Sequence, residues 1–443
     1  TKTASDKEYQ YTLYYYDQAG NLIQTVPPEG VKRVLPAYNT AINEVRAKDA
    51  EKVDLEDVNG QKVAPKNEFQ TQYRYNSLNQ LVWQETPDGG ESTFAYDELG
   101  RIIASQNAKQ KLSSQLSYTR YDKLGRIMEA GQLTLKTPAV INELGRLAVS
   151  GAPKAALIKV NAIDDHYPYN IASKTEQITK TVYDNPLENS ESWFTDYSVN
   201  NSQKRVTAIL YYDELLSELT SVQASGGYNN AILYDYDVHG NVKELVHHTN
   251  NSPVLNGLNQ QIKKVVYDYD LISGNVNKVT YQPAKVDQFI HKYDYDADNR
   301  IKQVYTSKDN LIWEKEANYL YYEHGPLARV EIGDKQVQGI DYIYTLQGWL
   351  KGVNSEELNN NKTDAGKDGL NVAKDAFGFA LNYYKGDYLS RSNTTNSTVF
   401  TLTKGANRES NANLYNGNIK DMVTSLLDLN GNPMATQYNS YTY

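Results

Sequence analysis

The sequence predicts an all-β protein built as an array of antiparallel β-hairpins. One observation is a motif of Tyr-Asp, two variable residues and Gly, which recurs in Tyr16–Gly20, Tyr96–Gly100 and Tyr121–Gly125. A second is that polar and apolar residues alternate beside these copies, as in a strand with one face half-buried. A third is that the 443 residues include 38 Tyr but only 7 Phe and 4 Trp, and Tyr favours half-exposed β surfaces.

Each copy of the motif predicts a tight turn between two strands. In Asp122–Gly125, the Asp side chain can accept hydrogen bonds from the backbone that follows, and Gly supplies φ > 0 without a Cβ clash. The same spacing recurs at Asp17/Gly20, Asp97/Gly100, Asp237/Gly240 and Asp428/Gly431. Asn, the next most tolerant residue of φ > 0, takes the place of Gly at Asn76/Asn79 and Asp296/Asn299.

The spacing of the motif predicts how the hairpins assemble. The step from Tyr96 to Tyr121 is 25 residues, which accommodates two strands and two connections. An isolated hairpin is only marginally stable in water, so neighbouring hairpins are expected to pair side by side. We expect the Tyr of each motif to pack between neighbouring hairpins.

Three segments interrupt the repeat, at about residues 31–70, 136–151 and 354–413. The first predicts a short helix after Pro36, with apolar residues at helical spacing: Tyr38, Ala41, Ile42 and Val45. The third is rich in Asn, Lys, Asp, Gly, Ser and Thr, and it predicts long loops around Asp375–Tyr388.

The second interruption, 136–151, predicts another short helix. Thr137 would cap it, Pro138 fits its first turn, and Ser150-Gly151 would end it. Its apolar face would be formed by Val140, Ile141, Leu144, Leu147 and Ala148. We expect these insertions to fill or decorate the hairpin array rather than to form separate domains.

Composition excludes several classes of function. The net charge of −9 and the lack of a basic stripe argue against nucleic-acid binding. With no Cys, the chain has neither disulfides nor thiolate chemistry. No apolar run approaches the ~20 residues of a membrane span, and the N-terminal residues show no signal-peptide pattern. Both ends are expected to continue into a longer chain.

Three alternating carboxylates resemble the start of a calcium loop: Asp294, Asp296 and Asp298. Such a loop requires Gly at its sixth position and Glu at its twelfth, where this chain has Asn299 and Tyr305. The segment Asp235–Gly240 fails the same test. We therefore predict hairpin turns with solvated faces rather than metal sites.

The histidines and paired carboxylates form no catalytic pattern. The six histidines are His166, His239, His247, His248, His291 and His324. None belongs to a His-x-Glu or His-x3-His pair, and His247 and His248 would point to opposite faces of a strand. Asp164-Asp165 and Glu356-Glu357 are adjacent, whereas glycosidase carboxylates face each other across a cleft. We predict no catalytic, cofactor-binding or metal-binding residue, and we expect the glycosylation sequons at Asn200, Asn250 and Asn393 to be unused.

The motif resembles that of the YD-repeat family, also called Rhs repeats. "YDELGRIIAS", "YDKLGRIMEA" and "YDQAGNLIQT" fit its pattern of Tyr-Asp, two variable residues, Gly, Arg or Asn, and an apolar residue. The resemblance covers most of the chain. The segments "DAFGFALNYYKGDY" and "NLYNGNIKDM" are similar to those of large YD-repeat proteins from gliding, surface-active bacteria.

The resemblance implies that the hairpins form a curved strip that spirals into a hollow shell. In bacterial Rhs proteins and insecticidal toxin complexes such a shell encloses a C-terminal toxin, and teneurins use a similar barrel in cell-surface adhesion. In toxin-carrying relatives, paired Asp residues at the end of the core cleave the toxin from the shell. No matching Asp-Pro-x-Gly segment occurs here, so the resemblance implies no enzymatic activity for this chain.

Residues 1–443 are therefore interpreted as a non-enzymatic shell segment of a secreted or surface-exposed bacterial YD-repeat protein, which encloses or presents a C-terminal effector. Its expected partners are the remaining segments of the same polypeptide and secretion-system or surface proteins, with no cofactor, nucleic acid or membrane-spanning segment. The alternatives are a cell-surface adhesin that binds carbohydrate and, third, a repeat enzyme with a cleft built from the inserted loops.

Overall fold

The computed structural model describes two units of the chain. The described residues are 11–32, 66–136, 139–142, 144–149, 167–187, 199–215, 227–250, 252–354, 372–388 and 413–441, with Thr40, Glu356 and Leu358. The first unit comprises Thr1–Gly240 and Val246–Ile262, and the second comprises Asn241–Leu245 and Lys263–Tyr443. Apart from Thr40, the predicted helix at Tyr38–Val45 lies outside the described residues.

The strands up to Tyr236 are β1 (Leu13–Tyr16), β2 (Leu22–Val26), β3 (Thr71–Tyr75), β4 (Leu81–Thr86), β5 (Gly90–Tyr96), β6 (Ile102–Asn107), β7 (Gln115–Tyr121), β8 (Ile127–Leu135), β9 (Ala139–Ile141), β10 (Leu147–Val149), β11 (Ala172–Tyr183), β12 (Val206–Leu215) and β13 (Asn230–Tyr236). A 3-10 turn spans Pro28–Gly30. The helix α1 (Ala108–Leu112) begins with a capping box, in which Asn107 and Gln110 bond each other's backbone N–H.

The strands that follow are β14 (Val242–Thr249), β15 (Ile262–Tyr269), β16 (Val276–Tyr281), β17 (Phe289–Tyr295), β18 (Ile301–Ser307), β19 (Glu314–Tyr321), β20 (Leu327–Ile332), β21 (Gln338–Tyr344), β22 (Leu350–Val353), β23 (Phe377–Asn382), β24 (Asp421–Leu426) and β25 (Gln437–Ser440). A second short helix, α2 (Pro253–Gly257), begins after Ser252, whose hydroxyl accepts from the Leu255 N–H. Within the described part of the chain, no helix is long and apolar enough to cross a membrane.

In both units each strand pairs antiparallel with the next one along the chain. In the first unit β1 to β8 form such a series, which continues through β11, β12 and β13. In the second unit β15 to β25 do the same. Among the described residues neither series closes on itself, and β9 pairs only with β10. The predicted all-β hairpin array is confirmed.

The turn between β7 and β8 has the predicted structure. Gly125 has a φ of 84°, and Asp122 Oδ1 accepts the backbone N–H groups of Leu124 and Arg126, each at 2.8 Å. The ladder shifts register at Arg120/Tyr121, next to the turn. Gly100 and Gly240 also have positive φ, at 79° and 96°, so the glycine assignments are confirmed.

The asparagines predicted to replace glycine also lie in the left-handed region. Asn79 has a φ of 58° and Asn299 a φ of 60°. The Asn79 N–H donates to the Asn76 carbonyl at 3.0 Å, and the Asn299 N–H donates to the Asp296 carbonyl at 3.1 Å. Asn therefore closes the same turn as Gly, because it tolerates this conformation better than other side chains.

The helix predicted at 136–151 is wrong, because the segment forms the hairpin β9–β10. Asn142 Oδ1 accepts the N–H groups of Leu144 and Arg146, each at 3.0 Å, and Gly145 has a φ of 69°. "NELGR" is therefore another copy of the turn, with Asn in place of Asp. Residues that would share one face of a helix, such as Ile141 and Leu147, instead pair across the hairpin.

The prediction of loops for 354–413 missed a strand of the sheet. Phe377–Asn382 forms β23, which pairs with β22 on one side and β24 on the other. Its core-facing residues include Ala380, which is fully buried. Glycine and polar residues on both sides of this short apolar run obscured its strand character.

The strands differ in how they are covered, and β21 and β24 of the second unit bury alternate residues as strands of the first unit do. In the first unit, Tyr167 and Leu187 from connecting segments and Leu147 from the β9–β10 hairpin pack into buried clusters on the sheet. In the second unit, the residues on both faces of β16 are all half-buried. The strands β15 and β20 follow nearly the same pattern. Within the described residues, these strands thus behave as a single layer without a core on either face.

Replacing Gly125 with Val tests the turn. Its φ of 84° strains a β-branched residue although the nearest atom to an added Cβ, Arg101 Nη1, is 3.7 Å away. We expect G125V to lower the free energy of unfolding by more than ~1 kcal/mol, measured by urea denaturation. Gly257 is the matched control, since its φ is not positive and no atom lies within 4 Å of an added Cβ. Equal midpoints for G125V and G257V would contradict the turn assignment.

Candidate functional site

Hydrogen bonds from tyrosine hydroxyls join successive hairpins along the edge of the sheet where the turns lie. The tyrosine that precedes a turn donates to a backbone carbonyl at the start of the second strand of the preceding hairpin. We call this contact the tyrosine bridge. In the first unit it joins Tyr96 to Leu81 (2.7 Å), Tyr121 to Ile102 (2.8 Å), Tyr183 to Ile127 (3.0 Å) and Tyr236 to Val206 (2.6 Å). In the second unit it joins Tyr269 to Val242 (2.9 Å), Tyr295 to Val276 (2.8 Å), Tyr321 to Ile301 (2.8 Å) and Tyr383 to Leu350 (2.8 Å).

The arginine that follows the turn glycine makes the reciprocal contact. Arg101 Nε donates to the turn carboxylate of Asp97 at 2.7 Å. The same guanidinium lies 4.5 Å from the ring centre of Tyr121, the tyrosine of the next hairpin. The carboxylate thus orients the cation and the cation stacks on the ring, an attraction of ~0.5–1 kcal/mol at exposed sites.

This arrangement repeats at other copies of the motif. Arg126 is held by Asp122 at 2.6 Å and lies 4.2 Å from the ring centre of Tyr183. Arg300 is held by Asp296 at 2.7 Å and lies 4.4 Å from the ring centre of Tyr321. Where Arg follows the turn, as in these three copies, the motif therefore makes one contact backward through Tyr and one forward through Arg.

The surroundings of the turn shift the pKa values of the bridging tyrosine and of the turn aspartate. Burial raises the pKa of Tyr121 above its usual 10.0, although the positive charge of Arg101 acts in the opposite direction. The hydrogen bond from the Arg300 N–H lowers the pKa of Asp296 below its usual 3.8. Near neutral pH the hydroxyl keeps its donor proton and the carboxylate keeps its charge, as the network requires.

A buried charge cluster lies on the sheet of the first unit. Glu129 on β8 is 2% exposed, and its Oε1 accepts the hydroxyls of Tyr118 at 2.7 Å and Tyr169 at 2.8 Å. Its Oε2 lies 3.1 Å from Arg120 Nη1 and 3.5 Å from Lys180 Nζ. This carboxylate is fully occupied by protein partners, which indicates a structural role rather than a reactive one.

The carboxylates considered for calcium serve the hairpin instead. Asp296 accepts from the backbone of its own turn and from Arg300. Asp298 lies 3.0 Å from the same guanidinium, and Asp294 lies 3.7 Å from Lys292. Among the described residues, no three His, Asp or Glu side chains are placed to hold a metal ion.

Three of the described histidines, His248, His291 and His324, lie beside aromatic rings. His248 is buried, and its Nδ1 lies 2.9 Å from the hydroxyl of Tyr228. His291 stacks on Tyr293, and His324 stacks on Tyr322. His166, the pair Asp164-Asp165, Glu357 and the sequon residue Asn393 lie outside the described residues. Glu356 is buried, and its backbone carbonyl accepts the hydroxyl of Ser425.

A cleft of about 500 Å³ in the first unit includes Trp83, Arg74 and Glu91 among its lining residues. The guanidinium of Arg74 lies 4.3 Å from the ring centre of Trp83, and the indole N–H donates to Glu91 at 3.0 Å. A sugar would need an aromatic face for stacking, and Arg74 already covers one face of this indole.

No family model matches the sequence. A curated relative, "Salivary gland surface protein 1" of Aedes aegypti, is 30% identical over 124 residues, which is 28% of this chain and 3% of the relative. A structure of the Photorhabdus luminescens Tc holotoxin pore aligns with 98% of this chain and 18% of its own, at 11% identity and a TM-score of 0.44. A TcdB2–TccC3 structure aligns with 97% of this chain and 17% of its own, at 11% identity and a TM-score of 0.39. The chain thus spans a small part of each protein.

Removing one bridging hydroxyl tests the tyrosine bridge. We expect Tyr121→Phe to lower the free energy of unfolding by ~1 kcal/mol, because the Ile102 carbonyl loses its side-chain donor while the ring remains. Tyr16→Phe is the control, since Tyr16 belongs to the first copy of the motif and is 59% exposed. Urea denaturation of both variants measures the difference. If both variants unfolded at the wild-type urea midpoint, the bridge would contribute nothing to the free energy of unfolding.

Neutralising Glu129 tests the buried cluster. We expect Glu129→Gln to lower the free energy of unfolding by about 3 kcal/mol, because the buried cations Arg120 and Lys180 lose the carboxylate that they face. The control is Glu91→Gln, whose ion pair with Lys111 is largely exposed and is worth under ~1 kcal/mol. A cost for Glu129→Gln no larger than that of the control would show that the cluster does not depend on this charge.

Proposed function

We propose that the chain is a wall segment of a bacterial YD-repeat shell, which is secreted or displayed at the cell surface and which encloses or presents a C-terminal effector of the same polypeptide. The wall itself carries out no reaction. Its partners are the remaining shell segments and the enclosed effector, together with the secretion or surface proteins that export it.

The uncovered strands β15, β16 and β20 of the second unit are the observation that carries this proposal. A wall has one face toward the solvent and one toward an enclosed space, so neither face is covered by a second layer. The half-buried residues on both faces of β15, β16 and β20 fit this requirement. Tyr supports such a surface because its ring packs along the sheet while its hydroxyl stays polar.

The tyrosine bridges support the same role in energetic terms. A layer without a core gains little from burial, so its cohesion must come from contacts between neighbouring strands. Bridges and arginine stacking supply these contacts at the turn edge in both units. The motif that repeats in the sequence is therefore the part of the chain that holds a thin wall together.

Protease protection of the natural full-length protein tests enclosure. We expect the segment C-terminal to the wall to resist digestion until the shell is opened by denaturant. A variant with Tyr269, Tyr295 and Tyr321 all changed to Phe should lose this protection at a lower denaturant concentration, whereas Tyr16→Phe should not. A C-terminal segment cleaved at once in the folded wild type would refute enclosure. An electron-microscopy reconstruction of the same protein without a lumen would refute it independently.

A further inference from the structure

A buried lysine in the second unit contacts an amide and a carboxylate at the same time. Lys351 on β22 is 2% exposed. Its Nζ lies 2.7 Å from Asn382 Oδ1 and 2.8 Å from Asp387 Oδ1. The second carboxylate oxygen of Asp387 is 3.1 Å from the same nitrogen and accepts the Tyr383 N–H at 2.9 Å. The amine is therefore held in one position by partners that are themselves fixed.

The amide that faces this amine is polarised from its other end. Asn382 on β23 is 4% exposed, and its Nδ2 donates to Oδ1 of the buried Asp421 on β24. The carbonyl oxygen thus points to the amine and the amide nitrogen points to a carboxyl group. The amine, the amide and Asp421 thus lie on three neighbouring strands, and Asp387 contacts the amine from the segment that follows β23.

The surroundings of the cluster are apolar. Ala380 and Val423 are buried beside it in β23 and β24, and the buried ring of Tyr383 lies 5.0 Å from that of Trp349. Such an environment excludes water, which would otherwise compete with the amine for the acyl carbon. It also makes buried charge costly, which favours an uncharged amide and a protonated Asp387 over the ion pair of Lys351 and Asp387.

We propose that Lys351 and Asn382 form an intramolecular isopeptide bond. Asp387 accepts a proton from the Nζ ammonium, and the free amine attacks Asn382 Cγ. The Nζ–Cγ bond forms, and the second Nζ proton passes to Nδ2 as the Cγ–Nδ2 bond breaks and ammonia leaves. Asp421, which accepts the Nδ2 N–H, stabilises the positive charge that develops on the departing nitrogen. Asp387 keeps the first Nζ proton, so that no oxidant or cofactor is needed.

Contact between the amine and the amide favours this reaction without an external enzyme. Amines attack amides very slowly in solution, but correctly oriented groups within one molecule reach effective concentrations of 10⁵–10⁸ M as an order of magnitude. General acid and base groups contribute about 10²–10⁴-fold more. The product would link β22 to β23 covalently in a chain that has no Cys.

The intact mass of the purified full chain, measured under denaturing conditions, tests the proposal. We expect a mass lower than that of the sequence by one ammonia molecule, and the full sequence mass for Lys351→Met and for Asn382→Ala. Protease digestion should yield a branched peptide that joins the segments around residues 351 and 382. Asp387→Asn and Asp421→Asn should each slow cross-linking by about 100-fold.

The controls distinguish the isopeptide bond from other reactions that release ammonia or water. Lys180, another buried lysine that faces a carboxylate, supplies the matched variant Lys180→Met, which should keep the mass deficit. An ammonia loss that persists in Lys351→Met would arise from succinimide formation and would overturn the proposal. A wild-type chain at full sequence mass, or one that has lost water by linkage to Asp387, would also overturn it, whether or not the variants fold.

Discussion

The carboxylate at the start of each turn is the interaction on which the architecture depends. In Asp122 one oxygen closes the turn by accepting two backbone N–H groups, while the other holds Arg126. The turn sets where the second strand begins, and the position of the arginine decides where the next tyrosine can stack. Local turn chemistry and contact between hairpins therefore share one side chain, which explains why Asp or Asn recurs at this point.

Buried charge appears where the sheet is covered. Glu129 is enclosed by two tyrosines and two cations, and Lys351 by two polar side chains that are equally buried. Burying such groups without partners would cost several kcal/mol. Each cluster can therefore form only when the strands that supply its side chains are already in register. These clusters fix the pairing of the strands more stringently than the aliphatic residues around them, which can slide past one another at lower cost.

Much of the hairpin array could be predicted because its signals are local. Gly100 and Asn299 lie three residues after the carboxylates that they follow, and backbone sterics decide their conformation. The segment around Asn142 misled the prediction because Val140, Ile141, Leu144 and Leu147 suit a helical face as well as two short strands. The recurring Arg after Gly was a sequence signal for the contact from Arg101 to Tyr121. The contact could not be predicted from the motif alone, because Tyr121 belongs to the next repeat. Lys351 and Asn382 are 31 residues apart, and no local pattern indicates that they meet.

The direction of the tyrosine bridge has a consequence for synthesis of the chain. Each tyrosine donates to a carbonyl that lies earlier in the sequence, so the acceptor has already left the ribosome when the donor emerges. A new hairpin can thus attach to a completed one without waiting for downstream residues, and the growing edge at any moment is only the most recent strand. Growth in this order keeps unpaired strand edges, which promote aggregation, to a minimum while the nascent protein is still incomplete.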